Sequence, residues 1–276
     1  MIPLKDNIPT DRFPILTVLL IVINVAAFIW QTQYEPERDL RQAGFSGVDA
    51  SAIEYGAIPY RLTHPGEERC SLAQLPPQGR VEIACEGQTE LEDAQATLPL
   101  DQAAWWITVL TSMFMHGGIL HLGGNMLFLW IFGNNVEDSM GRVRFILFYL
   151  LAGTVAVYAQ SLIDTSSTVP TIGASGAVAG VLGGYALLHP QARVLTLVIV
   201  IFFVTVIEVP AFLMLGFWFL LQFLPAVGQT AISEVGSDGG VAYLAHVGGF
   251  LFGLAAIKLF ANRYRERTIE PPYPVY

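Results

Sequence analysis

The stretch Gly173–Leu188, GASGAVAGVLGGYALL, carries no charge and spaces Gly176, Gly180 and Gly184 four residues apart. On a helix that spacing lines the three glycines along one face. A face without side chains lets a second backbone approach closely, which is how helices pack where lipid removes the hydrophobic drive between them. Gly249 and Gly253 repeat the spacing near the other end of the chain. The two smooth faces are expected to meet. Ser175 opens the first stretch, so close packing would carry its hydroxyl to whatever opens the second.

Composition extends the reading to the whole chain. Of 276 residues, 53% are hydrophobic and 13% charged, too apolar a balance for a water-soluble domain of this size. A bilayer core takes about 20 apolar residues per helix. Windows that meet or approach that length are Phe13–Trp30, Ile119–Phe132, Val143–Ile163, Ser175–Leu188, Val194–Leu224 and Val241–Phe260. The second and fourth are short and glycine-rich, as suits helices inside a bundle. The fifth is too long for one span. Glu208 and Pro210 divide it, so Val194–Val206 is expected to be partly interfacial and the spanning helix to begin near Val209. The first window lacks a small-residue cleavage site and is expected to stay attached as a membrane helix.

The resulting expectation is an all-α membrane protein: a six-transmembrane-helix bundle with a long external loop between helices 1 and 2. Its parts are a cytoplasmic N-terminus (1–12), the first helix (13–33), an external insertion (34–104), a core of helices 2–6 (105–261) and a cytoplasmic tail (262–276). Lys and Arg in short connections mark the cytoplasmic side. Lys5, Arg12, Arg142, Arg144, Arg193, Lys258, Arg263, Arg265 and Arg267 all fall on one side of this arrangement. Both termini are therefore expected in the cytoplasm. The 31–104 segment carries five Arg against thirteen of the 23 acidic residues. It accounts for most of the net charge of −9, which speaks against nucleic-acid binding. Cys70 and Cys85, the only cysteines, both lie there without metal-type spacing, and a structural disulfide is expected.

With an internal N-terminus, helices 2, 4 and 6 all start at the external face. His121 and Asn125 lie near the start of the second, Ser175 opens the fourth, and His246 lies near the start of the sixth. Strongly polar groups at membrane depth are costly and face the bundle or a wet cavity. A serine becomes a nucleophile when a base takes its proton, and neutral histidine suits that task. Asn125, His121 and the backbone N–H groups around Gly173 and Ser175 are candidate donors to the oxyanion that follows.

Four separated elements carry a resemblance. They are HGGILHLGGN (His116–Asn125), GNNVEDSMG (Gly133–Gly141), GASG (Gly173–Gly176) and AHVGG (Ala245–Gly249). In order and spacing the chain resembles the rhomboid family of intramembrane serine proteases over roughly Trp105–Phe260. The resemblance implies a Ser175–His246 dyad without an aspartate, a six-helix core and a cavity opening to the external side. It assigns oxyanion stabilisation to His121 and Asn125 and a supporting role to His116, with Gly176 and Gly249 at the helix contact. Its implied substrates are transmembrane proteins, with no cofactor and no metal, and its implied location is a bacterial cytoplasmic membrane. Two positions depart from the pattern. Ile107-Thr108 stand where a Trp-Arg pair usually precedes the histidine, and Ala179 stands where an aromatic often follows the serine by one turn.

The plainer readings carry less. Ser175 as a packing residue and the histidines as satisfied interface groups explain each position singly, but not their joint placement. A metal held by His116, His121 and His246 lacks an HExxH pattern and a further ligand nearby. Asp6 and Asp11 fall across the membrane from His246. Glu208 is read as the boundary of helix 5, and Glu137 and Asp138 as anchors of the loop holding Arg142 and Arg144. The alternatives in function are a catalytically inactive rhomboid-like binding protein and a small-solute transporter. The second would show inverted repeats, and none is visible.

Overall fold

A computed structural model describes residues 2–67, 69–76, 80–200, 202–231 and 242–262. The expected tail beyond Asn262 and Val241, the expected start of the last span, lie outside the described residues. From the N-terminus come β1 (Ile2–Asp6) and α1 (Ile15–Gln33). The insertion follows as α2 (Arg38–Gln42), α3 (Gly47–Tyr55), α4 (Pro59–Thr63), β2 (Cys70–Leu75), β3 (Arg80–Cys85), α5 (Thr89–Glu92) and β4 (Ala96–Pro99). Then come α6 (Trp105–Thr111), α7 (Ile119–Met140), α8 (Arg142–Ile163) and α9 (Ser175–Leu188). The hairpin β5 (Arg193–Val200) and β6 (Phe203–Pro210) leads into α10 (Ala211–Ala231) and α11 (Tyr243–Phe260). Among the described residues three helices, α1, α8 and α11, are long and apolar enough to cross a bilayer, with mean hydropathies of 2.2, 1.8 and 1.6.

Helix α9 is the buried axis, with every residue from Gly176 to Tyr185 out of contact with the surroundings. The glycine face of α11 meets it backbone to backbone, and from the α9 side Gly183 faces the Phe250 carbonyl. A Cβ at Gly249 would overlap the carbonyl oxygen of Gly176, and one at Gly253 that of Gly180. On the α8 side, Ala156 and Ala152 fill the space over Gly176 and Gly180. Larger residues at these positions would force the helices apart. Helix α7 closes a third side through Phe132, whose ring meets Tyr185 edge-on at 4.8 Å.

The start of α1 is held by α7. Glu137 accepts from the backbone N–H groups of Leu16 (3.0 Å) and Thr17 (2.8 Å) and from the Thr17 hydroxyl (2.8 Å). These are orphan donors of a helix start. Asp138 accepts the N–H of Asp11 at 3.0 Å. The two acids therefore anchor the approach to α1 and not, as expected, the loop of Arg142 and Arg144.

The all-α expectation is corrected by two three-stranded sheets, ordered β1-β5-β6 and β3-β2-β4, antiparallel throughout. The segment expected to be interfacial, Val194–Val206, is most of the β5–β6 hairpin, and α10 begins at Ala211. Runs such as Val198-Ile199-Val200 and Val204-Thr205-Val206-Ile207 are β-branched. Such side chains are stiff at χ1 and pack well on a pleated surface. Arg193 and Glu208 close the base of the hairpin 3.6 Å apart. The second sheet belongs to the insertion. There Cys70 faces Cys85 across β2 and β3, and the two are joined by a disulfide.

The insertion docks on the segment leading to Ser175. Ala57 and Thr171 exchange backbone hydrogen bonds of 3.1 and 2.8 Å, and Tyr60 N–H donates to Ser167 O at 2.9 Å. Gln88 donates from its side chain to Ser166 O at 3.0 Å. At the other end of α9, Tyr185 donates to Asp6 at 2.6 Å, beside a bond of the same length from Asn135. Burial pushes the Asp6 carboxyl up to about 6, against the downward pull of the Tyr185 hydroxyl. Insertion and N-terminal strand thus sit at opposite ends of α9, some 15 Å apart at 1.5 Å per residue.

Candidate active site

Ser175 is the first residue of α9, and Gly173 precedes it with φ +124. That backbone is in the region that favours glycine. Space demands glycine as well, since a Cβ there would lie 2.7 Å from Nε2 of His121. The Gly173 N–H is spent on Ser112 O at 2.8 Å, which fixes the turn. At the helix start, the N–H groups of Ser175, Gly176 and Ala177 precede the first intrahelical bond, from Val178 to Ala174.

His246 lies one turn into α11. The glycine-to-glycine approach of α9 and α11 brings its Nε2 to 2.7 Å from Ser175 Oγ. Its other nitrogen, Nδ1, lies 2.8 Å from Oε1 of Gln222 on α10. Trp218, one turn earlier on α10, places its ring 5.9 Å from the imidazole. An aromatic neighbour therefore does reach the histidine, from α10 and not from the α9 position held by Ala179.

The HGGILHLGGN element builds the opposite wall. His116 is fully buried. Its N–H donates to Oε1 of Gln31 at 2.9 Å, and Nδ1 lies 3.3 Å from Phe114 O, which makes Nδ1 the protonated nitrogen. Nε2 is then an acceptor, 3.1 Å from the amide nitrogen of Asn125. His116 thus holds the Asn125 amide and uses one of its two N–H donors. His121 receives the Gly117 N–H on Nδ1 at 3.4 Å, which leaves Nε2–H turned toward Gly173, next to Ser175. The rings of His116 and His121 meet edge-on at 5.1 Å.

Ser175, His246 and His121 are brought together beside Gly173, but the Gly173 N–H, expected as an oxyanion donor, is already donated to Ser112 O, and Asn125 and His116 form a bonded pair one turn below His121. Gly176 and Gly249 set the helix contact. Cys70 and Cys85 lie in the insertion, which reaches this region through the 165–171 segment and through Ser51 on Gln31. Sequence reasoning missed Gln31, Gln222 and Trp218. Gln222 had a signal, as the one carboxamide in the apolar run from Ala211 to Val227. Gln31 had a weaker one at the end of a span. It is fully buried and bridges His116 to Ser51 of α3, donating to the Ser51 hydroxyl at 3.2 Å.

Comparison with known proteins adds an independent line. Residues 103–263 match the Rhomboid domain family. The chain is 33% identical over 171 residues to Rhomboid protein 1, mitochondrial, of Saccharomyces cerevisiae, covering 59% of this chain and 45% of that protein. It is 35% identical over 164 residues to rhomboid protease GluP of Bacillus subtilis, covering 57% and 27%. It is 27% identical over 154 residues to the human presenilin-associated rhomboid-like protein, mitochondrial, covering 53% and 36%. The chain thus spans less than half the length of each of these relatives. The apolar helices and the family match together make it a multi-pass membrane protein. With a family match over residues 103–263, more than half of its length, the chain belongs to the rhomboid family.

Proposed function

We propose that this protein is an intramembrane serine protease in which Ser175 is the nucleophile and His246 its base. The supporting observation is the 2.7 Å approach of Ser175 Oγ to His246 Nε2 across two helices packed through glycine. The serine oxygen attacks the scissile carbonyl while its proton passes to Nε2. The tetrahedral oxyanion forms among the free N–H groups at the start of α9, His121 Nε2–H and the unspent N–H of Asn125. Collapse returns the proton from His246 to the leaving amine and leaves an acyl-serine. Water, deprotonated by the same imidazole, then releases the acyl group. Substrates are transmembrane proteins whose helix unwinds near the site, since helical carbonyls are shielded by their own hydrogen bonds.

The proposed topology has α1, α7, α8, α9, α10 and α11 as six spans, the insertion 34–104 external, and the core at 105–261. Residues 1–12 and the tail 262–276 are cytoplasmic, and the protein sits in a bacterial cytoplasmic membrane. The placement of Asp6 and the insertion at opposite ends of α9 supports it, as does the one-sided distribution of Lys and Arg. The decisive experiment is labelling of the detergent-solubilised protein with a fluorophosphonate, which reacts with an activated serine without needing the substrate. Labelling is expected in the natural protein and lost in Ser175→Ala and His246→Ala. Equal labelling of Ser175→Ala would remove the assignment.

A further inference from the structure

We propose that Gln222 is a positioning residue for His246, holding the imidazole in the tautomer that can take the Ser175 proton. The inference rests on the protease reading above and adds a member to that site from a third helix. A neutral imidazole carries one N–H, and only the bare nitrogen can act as base. Oε1 of Gln222 stands 2.8 Å from Nδ1, and a carboxamide oxygen only accepts. The hydrogen therefore belongs on Nδ1, and Nε2 presents its lone pair to the Ser175 hydroxyl 2.7 Å away. In the other tautomer Nδ1 and Oε1 would turn lone pairs on each other, and Nε2–H would face the hydroxyl it has to deprotonate.

In serine hydrolases of the triad type a carboxylate does this orienting. A carboxylate at membrane depth carries a large desolvation cost, whereas a carboxamide supplies the same acceptor geometry without charge. Gln222 does not act alone. Trp218 leans on the same ring from the preceding turn of α10, so two successive turns of one helix fix the imidazole's position and its proton. The seating of α10 then determines whether His246 is set to act. A polar pair with a merely structural role would lower stability when cut, but would leave the pH dependence of serine reactivity unchanged.

The test measures the rate of fluorophosphonate labelling from about pH 5 to pH 9, where a histidine base changes state. The full-length protein is compared with Gln222→Leu and Gln222→Glu, with thermal melting alongside and Ser175→Ala as the blank. Gln222→Leu is expected to slow labelling about 10- to 100-fold, the range seen when the partner orienting a metal-binding histidine is removed. Gln222→Glu is expected to restore the rate at high pH, with the acid limb moved upward because the added carboxylate favours the protonated ring. Wild-type rate and an unchanged pH profile in Gln222→Leu would overturn the proposal while leaving the Ser175 assignment standing. Should Gln222→Leu fail to fold, a Gln222→Glu profile superimposed on wild type overturns it equally. Absence of Ser175-dependent labelling in the natural protein would instead remove the protease reading, and this inference with it.

Discussion

At the scale of single residues, the site is a chain of directed hydrogen bonds in which each group fixes the next. Gln31 accepts from the His116 backbone and His116 holds the Asn125 amide, which under the proposed function leaves the second Asn125 N–H for a developing negative charge. Asn125→Ala is therefore expected to lower turnover on the order of 100- to 1,000-fold, the cost of one oxyanion donor, with labelling of Ser175 slowed but not lost. Unchanged turnover would take Asn125 out of the site. Asp6, at the far end of α9, gives a separate prediction. Its carboxyl is held at about 6 against 3.8, so the folded protein binds this proton more tightly than the unfolded chain. The stabilisation is complete below the unfolded value and is lost as pH rises through about 6, amounting to about 3 kcal/mol. The melting temperature of Asp6→Asn is expected to gain on the natural protein between about pH 4 and pH 7. A constant difference across that range would contradict the buried-acid reading.

At the scale of elements, the α9–α11 contact is the one on which the 2.7 Å distance depends. Gly253 lies two turns beyond His246 and touches no reacting group, yet a methyl there would overlap the Gly180 carbonyl, which is backbone and cannot rotate away. Gly253→Ala is expected to destabilise by about 1–3 kcal/mol, as overpacking does, and to slow labelling by separating the two helices. Full labelling with an unchanged melting temperature would show that the contact yields more easily than its geometry implies. The glycine pattern was legible because four-residue spacing speaks directly of a helix face. The β5–β6 hairpin was not legible as strands. A continuous apolar run reads alike for a buried strand and a membrane helix, and only its β-branched content separates the two.

At the scale of the whole molecule, the insertion bears on the membrane core through the 165–171 segment, through Ser51 on Gln31 and through the Tyr55 carbonyl, which accepts from the Thr111 hydroxyl. The disulfide closes a loop of 15 residues and is worth about 3 kcal/mol to the insertion. Replacing both cysteines with serine is expected to lower the melting temperature. It should also reduce Ser175 labelling through looser support of Ala57 against Thr171, because those bonds lead directly into Gly173. A melting temperature equal to that of the natural protein would show the bridge to be dispensable. Nothing in the sequence signalled this docking. The insertion reads as an acidic loop with two cysteines, and its backbone contacts with residues 165–171 leave no trace in side-chain pattern.

The sequence by itself determined the membrane class, the family and the candidate nucleophile and base. Apolar length, charge asymmetry and short local motifs are properties of neighbouring residues along the chain. The tertiary structure alone decided which atoms face each other: Gln222 against Nδ1 of His246, His116 against Asn125, Asp6 against Tyr185, and the insertion against the turn before Ser175. The physical reason is that a hydrogen bond acts over about 3 Å. Partners 24, 9 or 179 residues apart along the chain become neighbours only when helices and strands pack.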